Sequence, residues 1–373
     1  MVRNNYGYLE NMSKIFINGK FTAQPTTGVQ RMARCNIEAL DAAIVASGAI
    51  DNEEWILLCP PNGDFPKLKA IKIRSFGSRK LGLHFWEQFF LPLASIGGML
   101  VSFSGSTPLL KWNQVFTIHD AAVFDFPKAY TYIFRNWYKF LFKTVKLFAK
   151  KIITVSEFSK TRILDCLKID GSRILVIHCG HEHLRLISED SSVWHELGLE
   201  NTRYLLAVAS LNPSKNLLAL IEAFTHVSNK DIKLILVGSS YMNIFSESEV
   251  MLNDERVVFT GAVNDEQLKS LYKNAEALVF PSVYEGFGIP PLEAMYCGCP
   301  VLAANAASIP EVCGNAAYYF DPYSVSSITS AITDFLDGII PKQQLIDQGY
   351  RRLESFIWKN NGIILLKELR SLY

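Results

Sequence analysis

The chain lacks an excess of either charge: 37 lysines and arginines stand against 36 aspartates and glutamates in 373 residues, a net charge of +1. So even a balance excludes bulk binding to nucleic acid, and 49% hydrophobic residues exclude intrinsic disorder. Any basic surface must therefore be local. Cysteine patterning is missing too. Cys35, Cys59, Cys166, Cys179, Cys297, Cys299 and Cys313 are odd in number, scattered, and form no C-x-x-C pair and no zinc-type spacing with histidine. They predict a reduced, cytoplasmic protein. Cys297 and Cys299, either side of Gly298, read as small buried residues at a helix end. Residues 1 to 12 are polar and carry no charged-then-apolar leader, so export is not expected. The longest uncharged run, Phe89 to Gly105, is broken by proline, serine and glycine and reads as a helix end followed by a buried strand, not as a membrane span. No repeat or low-complexity stretch is visible.

What is present is alternation. Short apolar runs of strand length are separated by longer helical patterns, which is the signature of parallel α/β sheets. A first set runs KIFING, EWILLCP, AIKIRSF, MLVSFS, QVFTIHD, KIITVS and ILVIHCG, between Lys14 and Gly180. A polar stretch, SEDSSVWHELGLENT, then precedes a second set: YLLAVAS, KLILVGS, RVVFTGAV, EALVFPS, PVLAAN and AAYYFDP. Two Rossmann-like domains are expected, 1–187 and 188–352, since 373 residues exceed what one core usually holds. Strands apolar throughout imply helices on both faces. Those helices are expected near Asn216, Asp265, Pro290, Ser324 and Pro341. Ligands of open α/β sheets sit outside the carboxyl ends of the strands, so the polar residues just after each run are the ones to examine.

The strongest of those positions is FPSVYEGFGIPPLEAM, Phe280 to Met295. A strand ends at Pro281, a loop carries Glu285, Gly286, Phe287 and Gly288, and Pro290 with Pro291 suits the first turn of a helix that bears Glu293. Glycines let backbone amides approach an anion, and the helix N-terminus offers unpaired N–H groups. Two carboxylates beside a phosphate make sense if hydroxyl-rich groups flank it, because a carboxylate accepts paired hydrogen bonds from a diol. The bland alternative is a solvated loop charge at Glu285 and a helix-dipole carboxylate at Glu293.

This segment resembles the family 4 glycosyltransferases, retaining enzymes of GT-B fold marked by two glutamates eight residues apart in an E-GFG-x-P-x-x-E context. Glu285 and Glu293 match it, with Gly286, Phe287, Gly288, Pro290 and Leu292 in place. The resemblance implies that Glu285 contacts the transferred sugar and Glu293 the nucleotide ribose. It assigns the diphosphate to Lys215 in SLNPSKNL, with Ser210 at the start of that loop. Many relatives carry an arginine before this lysine, and here Ala209, Ser210 and Ser214 stand nearby instead. Gly261 and Val263, after the RVVF strand, are implied base contacts. An ordinary strand-end turn explains them as well.

On the first domain, PTTGVQRMA opens a long helix with Thr26 or Thr27 as its N-cap. The resemblance turns Gly28 toward the donor phosphates and leaves Arg31 without a role. His119 and Asp120 end the QVFTI strand. The resemblance makes His119 a partner of the donor sugar that stabilises positive charge developing beside the departing diphosphate, where a buried structural histidine is the alternative. Ser156 and Glu157 line the same edge or simply cap the next helix. No two aspartates stand two positions apart, so no D-x-D metal clamp exists and no metal or other cofactor is expected. The resemblance further implies catalytic roles for His119, Glu285 and Lys215, retention at the anomeric carbon, and a closing helix, 353–373, that crosses back to the first domain.

The stretch from Tyr132 to Lys151 reads as a helix with Arg135, Lys139, Lys143, Lys146 and Lys150 in one stripe against an aromatic face. Such a helix lies on anionic lipid or packs as an ordinary domain helix. With lipid binding it would place the protein at the inner face of the plasma membrane, consistent with a lipid-linked acceptor in surface-polysaccharide or lipopolysaccharide synthesis. Resemblance to polysaccharide mannosyltransferases makes GDP-mannose the expected donor and a glycan or lipid-linked oligosaccharide the expected acceptor. A UDP-sugar donor, a sugar-nucleotide epimerase or hydrolase, and a non-catalytic partner subunit are the competing readings.

Overall fold

The computed structural model describes residues 13–48, 52–78, 80, 82–210, 212–238 and 254–373. The polar opening at residues 1–12 lies outside them, as do Leu211 and Ser239 at the edges of two expected segments.

Seven strands form the first sheet: β1 Ser13–Asn18, β2 Glu53–Cys59, β3 Lys72–Ser75, β4 Met99–Ser102, β5 Gln114–Thr117, β6 Ala149–Thr154 and β7 Ile174–Val176. Six form the second: β8 Arg203–Val208, β9 Ile232–Val237, β10 Val257–Gly261, β11 Ala277–Phe280, β12 Val301–Ala304 and β13 Ala317–Phe320. Every apolar run read from the sequence is one of these strands. All neighbouring pairs are parallel, in the orders β3-β2-β1-β4-β5-β6-β7 and β10-β9-β8-β11-β12-β13. The central strands are buried along both faces, which the unbroken apolar runs require. Each order reverses once, between β1 and β4 and between β8 and β11, and the crevice at such a reversal is where α/β sheets hold ligands.

The longer helices are α1 Gly28–Ser47, α2 Tyr132–Val145, α3 Glu157–Leu167, α4 Leu217–Thr225, α5 Asp265–Asn274, α6 Ile289–Tyr296, α7 Val325–Leu336, α8 Lys342–Leu353 and α9 Trp358–Ser371. Thr27 is the N-cap of α1, and its N–H donates to the Gln30 side chain at 3.3 Å. The run from Phe89 to Gly105 is the end of a helical segment with one π turn, Trp86–Phe90, followed by β4. Among the described residues no helix is long and apolar enough to cross a membrane.

One expectation needs correcting. α2 stops at Val145 and does not run to Lys151. Residues from Ala149 onward pair with β5 on one side and β7 on the other, and backbone groups used in two ladders cannot also serve a helix. Lys150 therefore sits on β6, and the helical stripe comprises Arg135, Lys139 and Lys143, with Lys146 just past the end.

The closing helix α9 lies against α1. Leu365, Leu366 and Leu369 join the core under the first sheet, and Asn361 Nδ2 donates to Asn36 Oδ1 at 3.2 Å and to the His178 carbonyl at 2.6 Å. The two helices touch at Gly362, where an added Cβ would lie 2.1 Å from the Ala39 carbonyl oxygen. Gly362→Ala is thus expected to force the helices apart and to destabilise the protein by about 1–3 kcal/mol. A melting temperature equal to wild type would show that α9 is not held this closely.

Candidate active site

Lys215 belongs to the short 3-10 turn Pro213–Lys215 that follows β8. Asn212 caps that turn by accepting from the Ser214 N–H at 2.9 Å, and Asn216, with φ +55°, reverses the chain into α4. The Ser214 carbonyl accepts from the Val283 N–H at 2.8 Å, which ties the turn to the loop after β11. Lys215 Nζ then meets Glu285 Oε1 at 2.6 Å, with both side chains largely withdrawn from solvent. Ser308, wholly buried, donates to the carbonyls of Glu285 and Phe287 at 3.0 and 2.8 Å and so holds the glycine loop from below. Gly288, with φ +106°, is the N-cap of α6, a backbone angle that favours glycine. Phe287 turns its ring away into the core beside His178 and Phe356, leaving its backbone along the loop. Ser210 is exposed at the end of β8.

The edge of the first sheet meets this loop directly. A Cβ on Gly286 would lie 2.8 Å from the His119 carbonyl oxygen and 3.0 Å from Asp120 Cβ, so only glycine lets the two domains approach here. Ser156 caps α3 by accepting from the Ser159 N–H at 3.0 Å, and it also donates to the Gly286 carbonyl at 2.6 Å. Ser159 Oγ donates to the same carbonyl at 3.0 Å. Beside them the Glu311 carboxylate accepts from the backbone N–H groups of Glu157 and Phe158 at 2.8 and 2.9 Å, so a carboxylate of the second domain caps a helix of the first. Gly28, at the start of α1, faces Ile289 at the start of α6, with 3.6 Å between an added Cβ and Ile289 Cδ1. Arg31 bridges the domains by a 2.6 Å bond to Asp265.

His119 Nε2 is buried and finds no partner among the described residues. A neutral imidazole has one donor and one acceptor nitrogen, so Nε2 is free to meet a ligand in either role. Burial lowers the imidazole pKa from 6.5 to about 4, so the ring is neutral near pH 7. Asp120 accepts from the Ala122 N–H at 2.8 Å, and burial raises its carboxyl above the ordinary range.

Glu293, one turn into α6, is buried. Its Oε1 bonds His183 Nε2 at 2.9 Å and its Oε2 accepts from Tyr272 OH at 3.1 Å. Burial alone would raise its pKa, but the His183 hydrogen bond and charge, Arg31 and Tyr272 outweigh it and hold the carboxyl below its usual range. Gly261, with φ +73°, ends β10, and Val263 packs partly against the second core in the turn that leads to Asp265.

A cavity of about 360 Å³ opens on the first domain next to His119. Tyr130, Phe134, Tyr138 and Phe142 form one wall, while Ser104, Ser106, His84 and Lys20 supply polar groups. Lys20 is wholly buried and bonds Glu87 Oε2 at 2.7 Å and Ser106 Oγ at 3.1 Å.

The structure thus brings Lys215, Glu285, Gly286, Gly288, His119 and Gly28 to one crevice, with Glu293, Gly261 and Val263 on elements that border it. Reasoning from local pattern missed Ser308, Glu311, His183 and Tyr272. The segment S-I-P-E, Ser308 to Glu311, carried a usable signal, a serine ahead of proline and an acid at a helix start. His183 and Tyr272 carried none, since each acts through a residue about twenty or more than a hundred positions away.

Two parallel sheets whose carboxyl edges confront each other over a glycine loop and an ion pair define an enzyme of the GT-B class. Residues 194–352 match the family of group 1 glycosyl transferases, and residues 92–183 match glycosyltransferase family 4. The chain is 30% identical over 260 residues to O-antigen chain mannosyltransferase B of Escherichia coli, covering 66% of this chain and 68% of that one. It is 33% identical over 227 residues to the O-antigen chain mannosyltransferase RfbU of Salmonella typhimurium, covering 60% and 61%. Among solved structures, a sucrose-phosphate synthase from Thermosynechococcus elongatus superposes with a TM-score of 0.72 over 96% of this chain and 99% of the other, at 20% identity. HepE of Anabaena, in complex with UDP and glucose, gives 0.69 over 96% and 100%, at 18% identity. The chain belongs to the family 4, group 1 glycosyltransferases, which are retaining hexosyltransferases of GT-B fold.

Proposed function

We propose that this glycosyltransferase moves mannose from GDP-mannose to a glycan or lipid-linked acceptor in surface-polysaccharide synthesis. The observation that carries the reading is the Lys215–Glu285 pair at 2.6 Å, set against His119 and Asp120 of the facing domain. The two relatives named above as mannosyltransferases support the choice of sugar, and a UDP-hexose is the alternative donor.

In this reading the diphosphate lies over the N-terminus of α6, where Pro290 and Pro291 carry no N–H and the N–H groups of Gly288 and Ile289 remain to donate. Lys215 turns from Glu285 to a phosphate oxygen, which frees the carboxylate to accept from hydroxyls of the sugar. The neutral Nε2 of His119 accepts from another sugar hydroxyl, and its lone pair faces the carbon on which positive charge develops. Glu293 keeps one lone pair on each oxygen for the ribose diol beyond its bonds to His183 and Tyr272. The acceptor enters by the aromatic-walled cavity, so that its hydroxyl attacks the anomeric carbon from the side the diphosphate leaves. The new C–O bond forms as the C–O bond to phosphate breaks, and the hydroxyl proton passes to the departing phosphate oxygen. Fixed charge stabilises the leaving group. Among the described residues no group of three histidine, cysteine or acidic side chains is placed to hold an ion.

A thermal-shift comparison tests the donor, since a ligand of the folded state must raise its melting temperature. GDP-mannose is expected to stabilise the wild type more than UDP-glucose or UDP-galactose does, and Glu293→Ala is expected to lose most of that shift. Equal stabilisation of wild type and variant would remove the ribose assignment, and a larger shift with a UDP-sugar would replace the donor.

A further inference from the structure

The first domain carries an exposed apolar surface that the transfer reaction does not use. Phe85, Phe89, Leu93 and Ile96, spaced four, four and three apart, line one side of the helical segment around the π turn and all face solvent. On α2 and just beyond it, Ile133, Phe140 and Leu147 recur every seven residues and are exposed as well. The turn from Leu110 to Trp112 joins the two rows. Lys111 Nζ donates to the Ser95 and Gly98 carbonyls at 2.6 and 2.8 Å, fastening the turn to the end of the first row. Trp112 packs on Phe148 with 4.5 Å between ring centres, fastening it to the second. Leu93, Ile96, Leu110, Trp112, Ile133 and Leu147 are from 67% to 82% exposed, far more than scattered surface hydrophobics would require.

Charge selects the occupant. Residues 126–156 hold Lys128, Arg135, Lys139, Lys143, Lys146, Lys150 and Lys151 and no acidic residue. Between residues 76 and 119 the one acid is Glu87, which is buried against Lys20. Lys151 pairs with Glu368 at 3.3 Å, and the other six form no ion pair among the described residues, so a chain of net charge +1 has gathered unpaired cations beside this apolar surface. A second copy docking by the same face would set like charges against one another. An anionic bilayer satisfies both features: its headgroups attract the lysines, tryptophan and tyrosine suit the interface, and the aliphatic side chains enter the acyl boundary.

We propose that this surface, the helical segment 83–96 with the Trp112 turn and the outer face of α2, seats the enzyme on an anionic lipid membrane. The elements that bear the two rows flank the aromatic-walled cavity, for His84 beside Phe85 and Phe134 and Tyr138 on α2 line it. Seating therefore brings the cavity mouth to the headgroup level. That consequence, though not the docking itself, rests on the reading of the cavity as the acceptor entrance.

Flotation of the full chain with vesicles, without substrates, is the test. Binding to phosphatidylglycerol vesicles is expected to exceed binding to phosphatidylcholine at least tenfold and to fall at 0.5 M salt. Phe89→Ser/Leu93→Ser/Trp112→Ser is expected to lose at least tenfold. Lys128→Glu/Lys143→Glu, both at exposed positions, should lose about fivefold per residue or more. All variants should keep the wild-type melting temperature and transfer to a water-soluble acceptor. Absence of wild-type binding to anionic vesicles, equal binding to both lipids, or unaltered binding by the apolar variant each overturns the proposal. So does a dimer in light scattering that the apolar substitutions break while vesicles are ignored. Failure of the donor assignment leaves these results untouched.

Discussion

Lys215→Met and Glu285→Gln are each expected to lower kcat by about 10²- to 10³-fold, the usual cost of removing one preorganised group that stabilises transition-state charge. The two side chains are 2.6 Å apart. In the proposed mechanism each leaves the other, the lysine for the diphosphate and the carboxylate for the sugar. Lysine loss removes the counter-charge to the leaving group and also leaves a shielded carboxylate without a cation. Glu285→Gln keeps shape but cannot accept paired hydrogen bonds from hydroxyls. Because the two work on one event, Lys215→Met/Glu285→Gln should be little worse than the more damaging single change. Steady-state kinetics of the three variants check this. A rise in KM with kcat unchanged would move both residues from chemistry to simple binding, and full activity in either single variant would end the assignment.

His119→Ala should cost about 10²-fold in kcat. The pH dependence provides a second, independent mark. An ordinary imidazole would give an acid limb near 6.5, whereas burial puts this ring at about 4 in the folded protein. The rate should therefore show no limb from His119 between pH 6 and 8. Stability follows from the same shift. Between pH 6.5 and about 4 the unfolded chain binds a proton at this position that the folded one does not. Stability is then full above pH 6.5 and falls as the pH drops through that window. In His119→Ala the slope of melting temperature against pH over that range should be shallower than in wild type. An acid limb near 6.5 that disappears with His119 would show that burial does not lower this ring, and a fall in rate on the alkaline side of 6.5 that disappears with it would show that the ring acts in its charged form.

The basis for both expectations is unevenly visible in the amino-acid order. Thirteen runs became thirteen strands: the central ones are buried on both faces and must be apolar along their length, whereas the edge strand β3 is exposed throughout. The pattern from Phe280 to Met295 was equally legible: glycine, proline and acid at fixed offsets are what a strand, anion loop and helix start require over sixteen residues. Tyr132 to Lys151 was misread at its end, since helical spacing of lysines continues through a segment whose backbone β5 and β7 claim.

Local periodicity thus settled the class of fold, the two parallel sheets and the identity of the glycine loop, because each depends on neighbours within a turn or a strand. Tertiary structure alone decided the rest. The meeting of Lys215 with Glu285 across 70 positions follows from the pairing of β8 with β11 inside the second domain, and those of Ser156 with the Gly286 carbonyl across 130 and of His183 with Glu293 across 110 follow from how two domains dock. Tertiary packing likewise buries His119 and leaves its Nε2 without a partner among the described residues. Docking is set by contacts between distant segments, and distant contacts leave no periodic trace in the chain that makes them.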